Sequence, residues 1–138
     1  MKILIAVDKS AYSEKALAKA VDMAKKEGAE LIALAVAEQP VDMGEIAVSV
    51  SLSDHFKAVA DEALEKAGEL AKSKGVTLKP VLESGSSPAD NIIELAKKEG
   101  VDLIVTGSRG RTGIEKFLLG SVASKVISHA PCSVLVVR

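Results

Sequence analysis

Five short apolar runs divide the chain, and between them the apolar residues recur at the three- and four-residue spacing of a helix. The runs are residues 2–7, 31–37, 76–83, 102–106 and 132–138. Apolar runs of this length predict strands, several of them buried on both faces of a sheet. The alternation of strand and helix along the chain predicts a parallel, doubly wound sheet whose crossovers are right-handed.

Capping residues predict where the four helices begin and end. The first helix is capped by Ser10 or Ser13 and ends at Gly28, because serine accepts a hydrogen bond from a free N–H and glycine tolerates the left-handed backbone. The remaining helices are predicted at 54–75 and 87–100 and from Gly120-Ser121 onward. The segment 38–53 has no clear period and is predicted to be irregular.

A proline restricts the expected order of the strands. Pro80 lies in the third run, and a proline has no N–H to donate to a neighbouring strand, so this strand is predicted at an edge of the sheet. The order 3-2-1-4-5 satisfies this and makes the first and fourth strands central neighbours. We therefore predict a single five-stranded doubly wound domain, residues 1–138, with helices on both faces.

Segments 24–32 and 96–104 resemble each other, since both read Ala-Lys-Lys-Glu-Gly and then enter an apolar run. An ancient duplication would produce this echo. The simpler explanation, which we favour, is that both segments are helix-to-strand junctions with the same need for a glycine cap.

The composition is that of an ordinary globular protein and excludes several functions. The net charge is −1 and only 2% of residues are aromatic, so neither nucleic acid nor a membrane surface is favoured as a partner. A single cysteine, Cys132, cannot form an intrachain disulfide and is interpreted as a packed residue rather than a nucleophile. His55 and His129 lack ligands at metal-site spacing. No signal peptide or membrane span is visible, so a cytoplasmic location is expected.

Glycines at the end of the fourth strand carry the clearest chemical signal. Gly107-Ser-Arg-Gly110 follows the buried run, and after nine more residues Gly120-Ser121 opens a helix. A glycine turn exposes backbone N–H groups, and a helix N-terminus adds unpaired N–H groups and a positive dipole. This arrangement predicts an anion site, and most simply a phosphate site. It matches neither the P-loop pattern nor the Gly-x-Gly-x-x-Gly fingerprint.

Several polar groups are expected beside this loop. Asp8 follows the first strand and either caps the next helix or contacts ribose hydroxyls or a phosphate-bound cation. Ser121 is able to cap its helix and to offer a hydroxyl to phosphate. Three basic residues lie near the loop, Arg109, Arg111 and Lys116, and at least one of them is predicted to neutralise phosphate charge while the others are surface residues. Thr112 and Gly113 extend the loop.

The spacing Gly-x2-Gly-x9-Gly-Ser, the start Ile-Leu-Ile-Ala-Val-Asp8 and the block 107–138 together resemble the universal stress protein family, and the likeness extends over the whole chain. The resemblance implies a site for an adenine nucleotide, ATP with Mg²⁺ held through the phosphates, and places the backbone of Val36 near the adenine. The nucleotide-binding residues predicted on these grounds are Ala6, Val7, Asp8, Val36, Thr106, Gly107, Arg109, Gly110, Gly120, Ser121 and Val122.

The resemblance also implies a nucleotide-dependent regulatory switch in a stress response. Two alternatives remain open: an interaction module that does not bind nucleotide, and a slow ATPase or phosphotransferase. No general base stands out beside the loop, so at most weak hydrolysis is expected.

The last strand predicts a homodimer. It is apolar until Arg138 and lies at the open edge of the predicted sheet, so a second copy can pair with it antiparallel about a two-fold axis. Dimers of this kind are common in the family that the chain resembles.

Overall fold

All five predicted strands enter one parallel sheet. The computed structural model describes residues 1–38, 46–109 and 119–138. Along the chain the elements are β1 Lys2–Ala6, α1 Ala11–Glu27, β2 Glu30–Glu38, α2 Ile46–Ser73, β3 Leu78–Gly85, α3 Pro88–Glu99, β4 Leu103–Gly107, α4 Ser121–His129 and β5 Ser133–Val137. The strand order is β3-β2-β1-β4-β5, so the predicted order 3-2-1-4-5 is confirmed.

Two apolar layers cover the sheet, one on each face. On the first face, Ile3 and Ile5 of β1 pack with the apolar residues of α1 and α2. On the second face, Leu4 packs with those of α3 and α4. Alternate residues of β1 therefore face opposite layers, which is why its run is apolar without interruption. The prediction of helices on both faces is confirmed.

The second helix begins earlier than predicted. It starts at Ile46 and not at Asp54, so the part of segment 38–53 that lies at 46–53 is helical. The sequence there alternates serine with apolar residues, several of them β-branched, and such residues have low helix propensity. Adding residues to an existing helix is much easier than starting one, so the long amphipathic helix that follows can extend through this weak stretch.

The two glycine junctions have the same geometry. Gly28 and Gly100 both adopt the left-handed conformation, with φ of 62° and 64°, and each donates its N–H to the alanine four residues before it. The echo between 24–32 and 96–104 thus coincides with a shared capping structure. At the other end of α1, Ser10 is the cap and its hydroxyl accepts the Ser13 N–H, which decides between the two serines considered above.

The two edges of the sheet differ in protection. At the β3 edge, Lys79 forms an ion pair with Glu99 at 2.9 Å and lies beside Pro80. At the β5 edge, residues 134–137 are half-buried and apolar, and β5 pairs only with β4 among the described strands. No described helix is both long enough and apolar enough to span a membrane.

Cys132, which directly precedes β5, packs against the second-face layer, as predicted. Burial raises the pKa of its thiol above the ordinary value, and this keeps the sulfur protonated near neutral pH. A protonated, packed thiol is a poor nucleophile, in agreement with the interpretation of Cys132 as a packing residue.

Candidate functional site

The two central strands bring the predicted site residues to one edge of the sheet. In the parallel pairing of β1 with β4, Ile5 lies opposite Val105. Continuing this register by two residues brings Val7 level with Gly107, so the chain leaves both strands side by side. Strand order reverses at this point, and such a switch point opens a crevice in parallel sheets.

A short hydrogen bond closes the base of the glycine loop. The Gly120 N–H donates to the Ser108 carbonyl at 2.7 Å, and the Ser108 N–H donates to the Val137 carbonyl at 2.9 Å. Ser108 thereby joins the start of the loop to its end and to the last strand. The helix N-terminus of α4 is consequently fixed next to the carboxyl end of β4.

The first turn of α4 presents free N–H groups at this place. Gly120 is the N-cap and has no side chain to cap the helix, and the first helical bond runs from the Ser124 N–H to the Gly120 carbonyl at 2.9 Å. The N–H groups of Ser121 and Val122 therefore have no acceptor within the helix. This corrects the expectation that Ser121 caps the helix, because Ser121 is its first helical residue.

Ser108 carries a buried hydroxyl that has no hydrogen-bond partner among the described residues. Ser108 lies at the base of the loop and is only 4% exposed. A buried hydroxyl without a partner is uncommon and disfavoured by its lost hydration, so it indicates a place that suits another polar group. Ser108 was not among the predicted site residues, although it stands inside the Gly-x2-Gly pattern.

Asp8 supports the start of helix α1, one of the two roles expected from its position after the first strand. Its Oδ1 accepts the Ser10 N–H at 2.7 Å, and its own N–H donates to the Ser13 hydroxyl at 2.9 Å. These bonds hold the turn between β1 and α1 beside the crevice. One carboxylate oxygen thus supports the start of the helix, while Oδ2 has no hydrogen bond from the described residues. The capping role and a ligand role are therefore compatible.

Gly107 and Arg109 both contact Tyr12 in the first turn of α1. A Cβ on Gly107 would lie 3.0 Å from the backbone carbon and oxygen of Tyr12. The Arg109 guanidinium lies over the Tyr12 ring, 5.5 Å from its centroid, and its Nη1 is 3.4 Å from the phenol oxygen. A side chain at Gly107 would therefore crowd the backbone of α1, irrespective of any ligand. Sequence reasoning did not single out Tyr12.

The other predicted residues line different faces of the same edge. Ala6, Val36 and Val122 pack against the second-face layer, on which α4 lies, and Val7 belongs to the first face. Thr106 is buried at the end of β4. The predicted contributions of 110–113 and Lys116, including Gly110, lie outside the described residues.

A cavity of about 290 Å³ borders Asp8 from the first face, between α1 and α2. Lys9 and Glu62 form an ion pair of 3.0 Å at its rim. The hydrogen bond and charge of Lys9 lower the pKa of the Glu62 carboxyl. In the described part of the chain, no group of three His, Cys, Asp or Glu side chains could hold a metal ion.

Comparison with known proteins agrees with this architecture. The sequence model of the universal stress protein family matches residues 1–138. The chain is 40% identical over 146 residues to the universal stress protein YxiE of Bacillus subtilis, covering 99% of this chain and 98% of that protein. It is also 40% identical over 139 residues to a universal stress protein of Methanocaldococcus jannaschii, covering 99% of this chain and 81% of the relative.

Solved structures give the same result. The universal stress protein UspA of Lactobacillus plantarum superposes with a TM-score of 0.88 at 31% identity, covering 100% of this chain and 97% of that one. A universal stress protein in complex with cAMP superposes with a TM-score of 0.74 at 26% identity, covering 100% and 97%. One from Archaeoglobus fulgidus in complex with dAMP gives 0.71 at 26% identity, covering 100% and 98%. From its sequence and its fold alike, the chain belongs to the universal stress protein family.

Proposed function

We propose that the protein binds an adenine nucleotide, ATP with Mg²⁺, at the carboxyl ends of β1 and β4, and that the bound nucleotide acts as a regulatory switch. The observation that carries the proposal is the Gly120–Ser108 hydrogen bond, which fixes the free N–H groups of α4 beside the glycine loop. A helix N-terminus next to a glycine loop favours a phosphate. Two relatives in the family were solved with cAMP and with dAMP, which supports an adenine nucleotide.

The residues present suit such a ligand. The N–H groups of Ser121 and Val122 would donate hydrogen bonds to phosphate oxygens. Gly107, which has no side chain, would let the backbone approach the nucleotide closely. The guanidinium of Arg109 supplies positive charge, and the Ser108 hydroxyl is a further polar group at the same end. The Gly120 N–H already donates to the Ser108 carbonyl, so Gly120 would not donate to the nucleotide. Its contribution would be the absence of a side chain, which leaves room for the phosphates. The phosphates would bring Mg²⁺, which neutralises their charge.

The base and sugar would lie along the strand ends. Ala6, Val7 and Thr106 end or follow the two central strands, where they would border the ribose, and Asp8 would contact its hydroxyls or the cation. The Val36 side chain is part of the second-face layer, so Val36 would meet the adenine through its backbone. Gly110 lies outside the described residues, and its contact with a phosphate remains a prediction.

The direct test is to purify the protein without added nucleotide, denature it and identify released small molecules by mass spectrometry. Isothermal titration of nucleotide-free protein with ATP and Mg²⁺ should then give a saturable one-to-one isotherm. Titration with GTP tests the preference for adenine. Absence of both released nucleotide and measurable ATP binding would contradict the proposal and favour the alternative of an interaction module.

Two substitutions of Asp8 should separate its roles. Asp8→Asn keeps an amide oxygen that can accept the Ser10 N–H but removes the charge, so stability should change little. Its ATP affinity should fall by roughly tenfold, the scale of a lost charge-assisted hydrogen bond. Asp8→Ala should lose affinity and, in addition, about 0.5–2 kcal/mol of stability, as expected for a lost cap contact. Titration and urea unfolding measure both effects; normal ATP affinity in Asp8→Asn would leave Asp8 with only a structural role.

Hydrolysis should be slow. Phosphoryl transfer needs a positioned nucleophile and stabilisation of the charge on the transferred group, and no base is identified beside the loop. Release of phosphate from ATP should stay well below about 1 per second, the lower end of ordinary enzyme turnover. Turnover above that rate, lost in Asp8→Asn but retained through repeated purification, would instead support the alternative of an ATPase.

We further propose a cytoplasmic homodimer that pairs through the open edge of β5. The support is the half-buried apolar surface of β5, which contrasts with the charged and proline-bearing edge of β3.

A further inference from the structure

The first turn of α1 contacts the start of the glycine loop at two points, and both contacts belong to Tyr12. Its backbone packs against the Cα of Gly107, and its ring carries the guanidinium of Arg109, 5.5 Å from the ring centroid. Cations over an aromatic face at this distance are attracted by the ring quadrupole. Tyr12 therefore contacts both the backbone at the start of the loop and its first basic side chain.

The position of Tyr12 is itself well fixed. Ser10 caps the helix through the Ser13 N–H at 3.1 Å, and the Ser13 hydroxyl accepts the Asp8 N–H at 2.9 Å. Ser13 is buried and Asp8 and Ser10 are partly buried, so this network is only partly open to water. The ring of Tyr12 is consequently held on a rigid helix start and not on a loop, which makes it a suitable support for a long arginine side chain.

We propose that Tyr12 is a positioning residue of the nucleotide site, whose ring orients Arg109 for the phosphates before the nucleotide arrives. This inference rests on the proposed nucleotide binding. An arginine side chain loses much rotamer freedom when it binds a phosphate. A ring that already restricts the guanidinium reduces this loss, and preorganisation of this kind improves affinity without a direct contact to the ligand.

The proposal predicts a dependence on phosphate and on Arg109 together. Tyr12→Leu should weaken ATP binding about three- to tenfold, as expected for loss of a partly desolvated cation–π contact. Tyr12→Phe keeps the ring and removes only the long 3.4 Å contact from Arg109 Nη1 to the phenol oxygen, so its affinity should stay within about twofold of the wild type. Adenosine, which has no phosphate, should bind Tyr12→Leu and wild type equally.

A double-mutant cycle with Arg109→Met isolates the interaction. Once Arg109 is replaced, Tyr12→Leu should have no further effect on ATP affinity. Additive losses in the double variant, or an equal loss of adenosine affinity in Tyr12→Leu, would overturn the positioning role. Circular dichroism and urea unfolding of each variant check that the fold is retained. If Tyr12→Leu is unstable, Tyr12→Met, which also removes the ring, takes its place in the same cycle with the same expected outcomes.

A second readout needs no nucleotide. Tyr12 is the only tyrosine and the chain has no tryptophan, so tyrosine emission reports on this one ring. Arg109→Met should change that emission in the nucleotide-free protein. Lys125→Met should not, because Lys125 pairs with Asp90 of α3 and its helix lies on the opposite face of the sheet from α1. Unchanged emission in Arg109→Met would contradict the contact itself. If emission changes but the wild type binds no ATP, the proposed function fails and the contact stands as a purely structural one.

Discussion

Replacing Gly107 with alanine should destabilise the folded protein by about 1–3 kcal/mol, the usual result of overpacking a well-packed site. The new Cβ would lie 3.0 Å from the carbonyl carbon and oxygen of Tyr12, closer than ordinary contacts. The backbone of Tyr12 has little room to yield because Ser10, Ser13 and Asp8 fix this turn by hydrogen bonds. Equilibrium unfolding in urea, without nucleotide, measures the effect.

Gly68 provides a matched control. It lies within α2, and a Cβ there would meet nothing within 4 Å. Gly68→Ala should therefore stabilise the protein by about 0.5–1 kcal/mol, since alanine has the higher helix propensity. Opposite signs for the two substitutions are the expected outcome. A Gly107→Ala protein as stable as the wild type would show that α1 can shift, and would return Gly107 to a role that concerns only the loop.

Val136→Pro should convert the proposed dimer into a monomer. The Val137 carbonyl accepts the Ser108 N–H, so Val137 directs its backbone groups toward β4. Backbone groups of successive strand residues point to opposite sides, and those of Val136 therefore point away from the sheet, toward the open edge. Proline at 136 removes an outward N–H and leaves the pairing with β4 intact. Size exclusion with light scattering, at micromolar protein, measures the assembly.

Leu135→Pro is the contrasting variant, since its backbone groups point toward β4, where Leu135 lies opposite Val105. It should damage the sheet and lower the stability of the subunit itself, by about 3 kcal/mol or more if proline is as disruptive here as inside a helix. A monomeric wild type, or a Val136→Pro protein that is still a dimer, would argue against pairing through β5.

The features that were predictable from the sequence are those set by local chemistry. Pro80 has no N–H to donate to a neighbouring strand, and this placed β3 at an edge, where it is observed. Gly28 and Gly100 marked helix ends because left-handed backbone favours glycine. The predicted start of α2 was wrong because helix extension is cooperative. The helix propensities of residues 46–53, taken by themselves, leave out the stabilisation that comes from the helix following them.

The candidate site was predictable in place but not in its internal contacts. Strand order and the glycine spacing located the edge at which Asp8 and Gly107 meet. That Ser108 joins Gly120 to Val137, and that Tyr12 meets Gly107, are contacts between residues far apart in sequence. No local preference encodes such contacts, which arise only when the elements pack together. For the contact between Tyr12 and Gly107, the sequence signal was the presence of a single tyrosine in the first turn of the first helix.

The central position of β1 has a consequence for the newly synthesised chain. Ile3 is synthesised 100 positions before its partner Leu103, so β1 leaves the ribosome long before the strand with which it pairs. Pairings so distant in sequence form late, since the loop between them must first be closed. The crevice and the bond from Gly120 to Ser108 can exist only after α4 has emerged. A nucleotide that binds there would stabilise the finished subunit and give no protection to shorter nascent chains, whose clearance by proteases would be unaffected by the ligand.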